Sequence, residues 1–199
     1  MRIARAFAAG VLLFMLAACA KPPQAEIDAA RAALEAASRN ADVITYAPDA
    51  LRRAQEKMNA LDDELGLQAR RSSLRRSYDS AAVLAREATA LSVEAVSRAQ
   101  ADKQQVANDA AGLLEEVAAA IPGFESRVWA AKRVPRIKLD VIAPLQLVPD
   151  QARTAVDDAR KDIASGAFAA AKARLMAAKE QLSSSQETIT EQTRIARSR

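Results

Sequence analysis

The 199-residue chain has no histidine. That removes the commonest general base and the commonest side-chain metal ligand together. It has one cysteine, Cys19, so an internal disulfide framework is excluded. Glycine is scarce, at five residues, and no glycine-rich phosphate loop, metal-spaced Cys/His set or catalytic triad is present. Aromatic residues make up 4% of the chain, while apolar residues, about half of them alanine, make up half of it. Alanine favours helix more than any other residue but buries little area per side chain. Long helices packed along narrow alanine seams are therefore expected, and an enzyme is not.

What is present begins with the leader. Arg2 and Arg5 open it, and residues 6–18 carry no charge. Thirteen residues fall short of the roughly 20 that a spanning helix needs, and they suit the core of a signal peptide. Leu16-Ala17-Ala18-Cys19 closes the stretch. It resembles a bacterial lipobox in position, flanks and cysteine together. The resemblance implies a diacylglyceryl group on the Cys19 sulfur, cleavage between Ala18 and Cys19, and acylation of the new amino group. Cys19 then carries a covalent lipid and no free thiol remains; no other cofactor or metal is expected. Ala20 follows the cysteine where an aspartate would imply inner-membrane retention, so the expected location is the outer membrane, lipid-anchored and facing the periplasm. Without Arg2 and Arg5, 27 basic residues stand against 25 acidic ones. So nearly neutral a body gives no reason to expect nucleic acid as a partner.

Residues 19–25 read as a tether, with Pro22 and Pro23 delaying helix onset. Ile27, Ala30, Leu34 and Ala37 mark one face of a helix over 24–39. Residues 42–47, β-branched and aromatic, read as an extended connector. Pro48-Asp49 suits a helix start; Leu51, Ala54, Met58, Leu61 and Leu65 follow on one face, and Gly66 reads as the stop. A long helix is expected over 73–120, losing phase and bending near 101–105, and stopped by Ile121-Pro122-Gly123. Residues 121–148 look irregular. Pro149-Asp150 opens another helix, Ser165-Gly166 makes a tight turn, and Phe168, Leu175, Leu182 and Ile189 recur every seven residues in a last helix that should fray.

The two Pro-Asp helices, each followed by a turn and a helix with an early aromatic (Tyr78, Phe168), echo one another as helix-pair repeats do. The expected fold is all-α: elongated antiparallel hairpins forming a coiled-coil-like bundle. Its parts are a cleaved leader (1–18), a lipidated tether (19–25), a first helical region (26–120), an irregular connector (121–148) and a C-terminal hairpin (149–199).

Three features could carry chemistry. The carboxylates at 62–64 and at 157–158 lie in helices beside basic residues, without loop spacing to wrap a metal, and read as solvated faces. Arg70, Arg71, Arg75 and Arg76 could meet phosphate groups, or simply line a charged turn. Trp129, with Arg133, Arg136 and Lys138, is the best candidate contact for a partner or lipid. It also fits a plainer role, in which Trp129 and Phe124 plug the end of a thin bundle.

Leu16 to Cys19, the alanine-rich residues 25–37, the segment 46–54 and the segment 78–88 together resemble the uncharacterised helical envelope lipoproteins of proteobacteria, whose shared part is a domain of unknown function. The resemblance covers roughly residues 16–100. Some of those relatives carry a peptidoglycan-binding domain of the outer-membrane protein A type, which is not evident here. The chain also ends Arg197-Ser198-Arg199, not in the lysine of a wall-linked murein lipoprotein. The expected role is structural, scaffolding or accessory in the cell envelope, with envelope proteins as partners and peptidoglycan as a candidate. The alternative is a binding protein for an amphiphile or cell-wall fragment, using a groove near Trp129.

Overall fold

The computed structural model describes residues 21–135, 137 and 139–198. The fold is all-α. Among the described residues the order is α1 (Gln24–Arg39), α2 (Ala41–Tyr46), α3 (Pro48–Arg70), a 3₁₀ turn (Ser73–Arg75), α4 (Asp79–Lys132), α5 (Leu139–Leu145), α6 (Val148–Ala164) and α7 (Phe168–Ser198). The chain divides after Asp102 into two compact units.

In the first unit α1, α3 and the start of α4 enclose Ile27, Ala30, Met58, Leu61, Ala81, Ala85 and Ala88. Ion pairs set the directions. Arg53 meets Glu94 and Lys57 meets Glu87, so α3 and α4 run antiparallel. Arg31 meets Asp62 at 3.2 Å. The connection from Arg39 to Pro48, mostly one short helix, is too short to carry the chain back along α3. At 1.5 Å per helical residue only an antiparallel α1 fits. At the α2 end, Val43, Ala47, Ala50, Ala95 and Ala99 close a second small cluster.

The second unit is built from the rest of α4 with α5, α6 and α7, around Phe124, Val128, Ile142, Val156, Leu175 and Leu182. Lys172 reaches Asp109 and Lys179 reaches Glu116, so α7 runs parallel to α4. Arg174 reaches Asp158 and, further along α7, Gln181 reaches back to Gln151, so α6 and α7 are antiparallel. Their turn ends α6 with Gly166 at φ +80°, the conformation glycine adopts without penalty. Ala167 N–H donates to the Asp162 carbonyl at 2.8 Å and Gly166 N–H to that of Ile163 at 3.0 Å, the paired bonds of a Schellman cap.

Each unit thus repeats one order: long helix, short helix, Pro-Asp helix, returning helix. Arg52 donates to Asp49 and Arg153 to Asp150, three residues on from each Pro-Asp pair. The buried positions of the returning helices also correspond: 81, 85, 88, 92, 95 and 99 in α4, and 171, 175, 178, 182, 185 and 189 in α7.

Several boundaries differ from expectation. The connector expected at 42–47 is helical through Tyr46, because the Asn40 side chain accepts from Asp42 N–H at 2.9 Å and caps α2, while Val43 is wholly buried. Gly66 does not stop α3, which continues to Arg70; Leu65 and buried Gln68 keep the inward face going, at about 1 kcal/mol for the glycine. The long helix starts at Asp79, after the separate 3₁₀ turn. It does not end at Pro122 but continues to Lys132. A mid-helix proline costs about 3 kcal/mol. Burial of Ile121, Phe124, Val128 and Ala131 outweighs that, since each large apolar side chain contributes roughly 1.5–3 kcal/mol. Of the segment expected to be irregular, residues 121–132 and 139–145 are therefore helical. The stretch 101–105, where the stripe loses phase, lies within continuous helix and coincides with the division between units. The last helix reaches Ser198, with Ala196 still buried.

Candidate functional site

Ala18, Cys19, Arg136 and Lys138 lie outside the described residues. Trp129 does not plug the bundle. It is 56% exposed, while Phe124 is buried at 3% and takes the core position. The separation follows from helical geometry. Ile121, Phe124, Val128 and Ala131 step by three and four along the inward face, and Trp129 falls outside that stripe. Arg133, one turn on, stacks over the indole at 3.1 Å from its centroid. Such an exposed cation–π pair contributes about 0.5–1 kcal/mol.

Beside this face is an open groove of about 800 Å³, between the end of α4 and the end of α7. Its apolar side comes from Ala130, Ala131, Val134 and Ile189, and three arginines line it, Arg127, Arg194 and Arg197. Trp129 itself does not line it. Arg194 is already committed. It grips Glu191 through two bonds of 2.8 and 2.7 Å. That bond raises the arginine's pKa and holds the Glu191 carboxyl below its usual range. Arg127 and Arg197 have no ion pair or side-chain hydrogen bond among the described residues.

None of the groove-lining residues was singled out from sequence as a contact; Ile189 was read only as a packing position of the last helix. The signal was there as spacing: Arg127, Ala131 and Val134 share one face, as do Ile189, Thr193 and Arg197. What brings the two faces together is the register of α4 and α7, set by Lys172–Asp109 and Lys179–Glu116. Both pairs close to 2.7 Å, and the bonds from Lys172 and then Gln105 hold the Asp109 carboxyl below its ordinary pKa.

Four of the five clustered carboxylates pair with cations or an amide. Asp62 binds Arg31, and Glu64 accepts from Gln68. Asp157 binds Arg160, and Asp158 binds Lys161, whose bond lowers the Asp158 pKa and is itself answered by a raised Lys161 pKa. Among the described residues no three His, Cys, Asp or Glu side chains gather where they could hold a metal.

The four arginines at the end of α3 and in the turn that follows it divide by role. Arg76 closes the turn: its guanidinium donates to the Arg71 carbonyl at 3.0 Å and the Ala69 carbonyl at 3.1 Å, the latter within the unpaired last turn of α3. Gln68, buried at 4%, braces the same turn by donating to Glu64 and accepting from Ser77 N–H. Arg70, Arg71 and Arg75 stay exposed, with no side-chain hydrogen bond or ion pair among the described residues. Leu74, beside Arg75, is 95% exposed.

No described helix is long and apolar enough to cross a membrane. Comparison with protein-family models, curated proteins and solved structures finds no match.

Proposed function

We propose that the chain is a lipid-anchored helical protein of the bacterial outer membrane, facing the periplasm, with a non-enzymatic structural, scaffolding or accessory role in the envelope. The observation that carries this reading is Leu16-Ala17-Ala18-Cys19 at the end of a short apolar leader opened by Arg2 and Arg5. Residues 20–23 then tether the lipidated cysteine to α1. The resemblance of residues 16–100 to uncharacterised envelope lipoproteins points the same way. The helical body supports a scaffold, since it presents long faces of paired surface charges to envelope proteins or peptidoglycan. The experiment is an intact mass measurement of the chain extracted from membranes. The expected product starts at Cys19 and carries the added mass of acyl chains. An unacylated chain, or one cleaved elsewhere, would remove the basis of the proposal.

The groove favours one further reading, capture of an anionic amphiphile or a cell-wall fragment. Its apolar side would hold a chain, and Arg127 and Arg197 would hold the charged end. A fluorescent fatty acid should then bind saturably, about tenfold more weakly when both arginines are replaced by glutamine. Absence of saturable binding to the unaltered chain excludes this reading. Because Trp129 is outside the groove, its own emission is a poor reporter of occupancy.

A further inference from the structure

We infer that the turn between α3 and α4 is a second membrane contact: Arg70, Arg71 and Arg75 meet anionic phospholipid headgroups while Leu74 enters the interface between them. The contact extends the lipid-anchored reading, although its chemistry does not need the anchor.

The sorting of the arginines carries the argument. A turn that merely needed charge for solubility would have no use for a fixed shape. Here Arg76 and Gln68 hold the turn from beneath, while Arg70, Arg71 and Arg75 are left exposed and unpaired. Guanidinium forks match phosphate oxygens. Leu74 adds what a site for a soluble phosphate would not use. Among the described residues it is the most exposed large apolar side chain, at 95%, with Arg75 next to it and Arg70 and Arg71 a few residues before it in sequence. Adjacent apolar and basic groups suit the boundary between headgroups and acyl chains, where both find partners.

Placement within the first unit agrees. Since α1 runs antiparallel to α3 and Arg31 pairs with Asp62, tracing back from Arg31 to Gln24 advances about 10 Å toward the end of α3. Leu65 and Tyr78, the residues flanking this turn, pack against the cluster that holds Ile27. The start of α1 and the arginine turn therefore share one end of the unit. Cys19 is five residues before Gln24, a reach of about 17 Å at most. A lipid on Cys19 would deliver the turn to the bilayer surface.

The test uses the chain from residue 19 onward carrying Cys19→Ser, which retains every described element and lacks acyl chains. It is mixed with vesicles of phosphatidylethanolamine and phosphatidylglycerol, and with vesicles of phosphatidylcholine alone. Preferential sedimentation with the anionic vesicles is expected. Replacing Arg70, Arg71 and Arg75 together by glutamine should weaken partitioning about a hundredfold, since each basic group at an anionic surface contributes about fivefold. Leu74→Ser should weaken it severalfold with no change in helix content by circular dichroism. Equal binding to both vesicle types, or anionic binding unchanged in the arginine variant, overturns the inference. So does full displacement by millimolar inorganic phosphate at constant ionic strength, which would reveal a site for the soluble anion. Because this chain bears no lipid, a negative result leaves the Cys19 reading intact, and an unacylated native protein leaves this contact standing.

Discussion

Cys19→Ser is expected to abolish acyl incorporation completely and to leave the unprocessed precursor in place of the mature chain. The reasoning is chemical. Transfer of a diacylglyceryl group makes a thioether, and the chain has no other sulfhydryl to receive it. A serine hydroxyl is nearly isosteric but far less nucleophilic at neutral pH, where a cysteine already provides a few per cent of thiolate. The physical consequence is large. Each buried methylene of an anchor contributes roughly 0.8 kcal/mol, so several acyl chains hold a protein durably, whereas one chain alone binds marginally. Metabolic labelling with a radioactive fatty acid, followed by electrophoresis, reads both outcomes at once. A variant that matures normally and carries label would refute the lipoprotein reading.

The second large effect concerns the alanine seam. Leu61→Ala should destabilise the first unit by about 3–5 kcal/mol. Leu61 is fully buried, and among the described residues of that unit only Ile27, Val43 and Met58 join it as larger apolar side chains in the core. Its neighbours across the seam are Ala30, Ala81, Ala85 and Ala88. An alanine has no rotamer with which to fill a cavity, so closing the space would require whole helices to move. The cost should therefore fall toward the upper end of the range for leucine truncation. Urea unfolding followed by circular dichroism measures it. Val83→Ala, on the exposed side of α4, is the control and should shift stability by no more than about 0.5 kcal/mol. A loss under 1.5 kcal/mol for Leu61→Ala would show that the seam relaxes and that the packing is looser than described.

Legibility differed between the seams and the surfaces. Ile27, Ala30 and Ala37 in α1, or Ala54, Met58 and Leu61 in α3, were readable because burial on a helix repeats every three or four residues and leaves its pattern in composition. The turn at Ser165-Gly166 was readable because a left-handed residue after a helix favours glycine. The groove beside Arg127 and Arg197 was not, because it exists only where two helices lie at one register. Nor was the division of the arginines at 70, 71, 75 and 76. Four identical side chains became one brace and three free cations according to where the chain folds back onto the carbonyls of α3.

By itself the sequence determined the helical class, the inward faces of α1, α3, α6 and α7, and the absence of histidine and thiol chemistry downstream of Cys19. These depend on residue type and local periodicity. Tertiary structure decided that α4 passes through Pro122, that α3 passes through Gly66, that residues 41–46 form a helix, and that Phe124 is buried while Trp129 is left outside. At Pro122 a local cost of about 3 kcal/mol met the burial of several apolar side chains, and the larger sum prevailed; at Gly66 and at residues 41–46 the opposing preference was smaller, and Leu65 with Gln68, or the Asn40 cap with buried Val43, outweighed it.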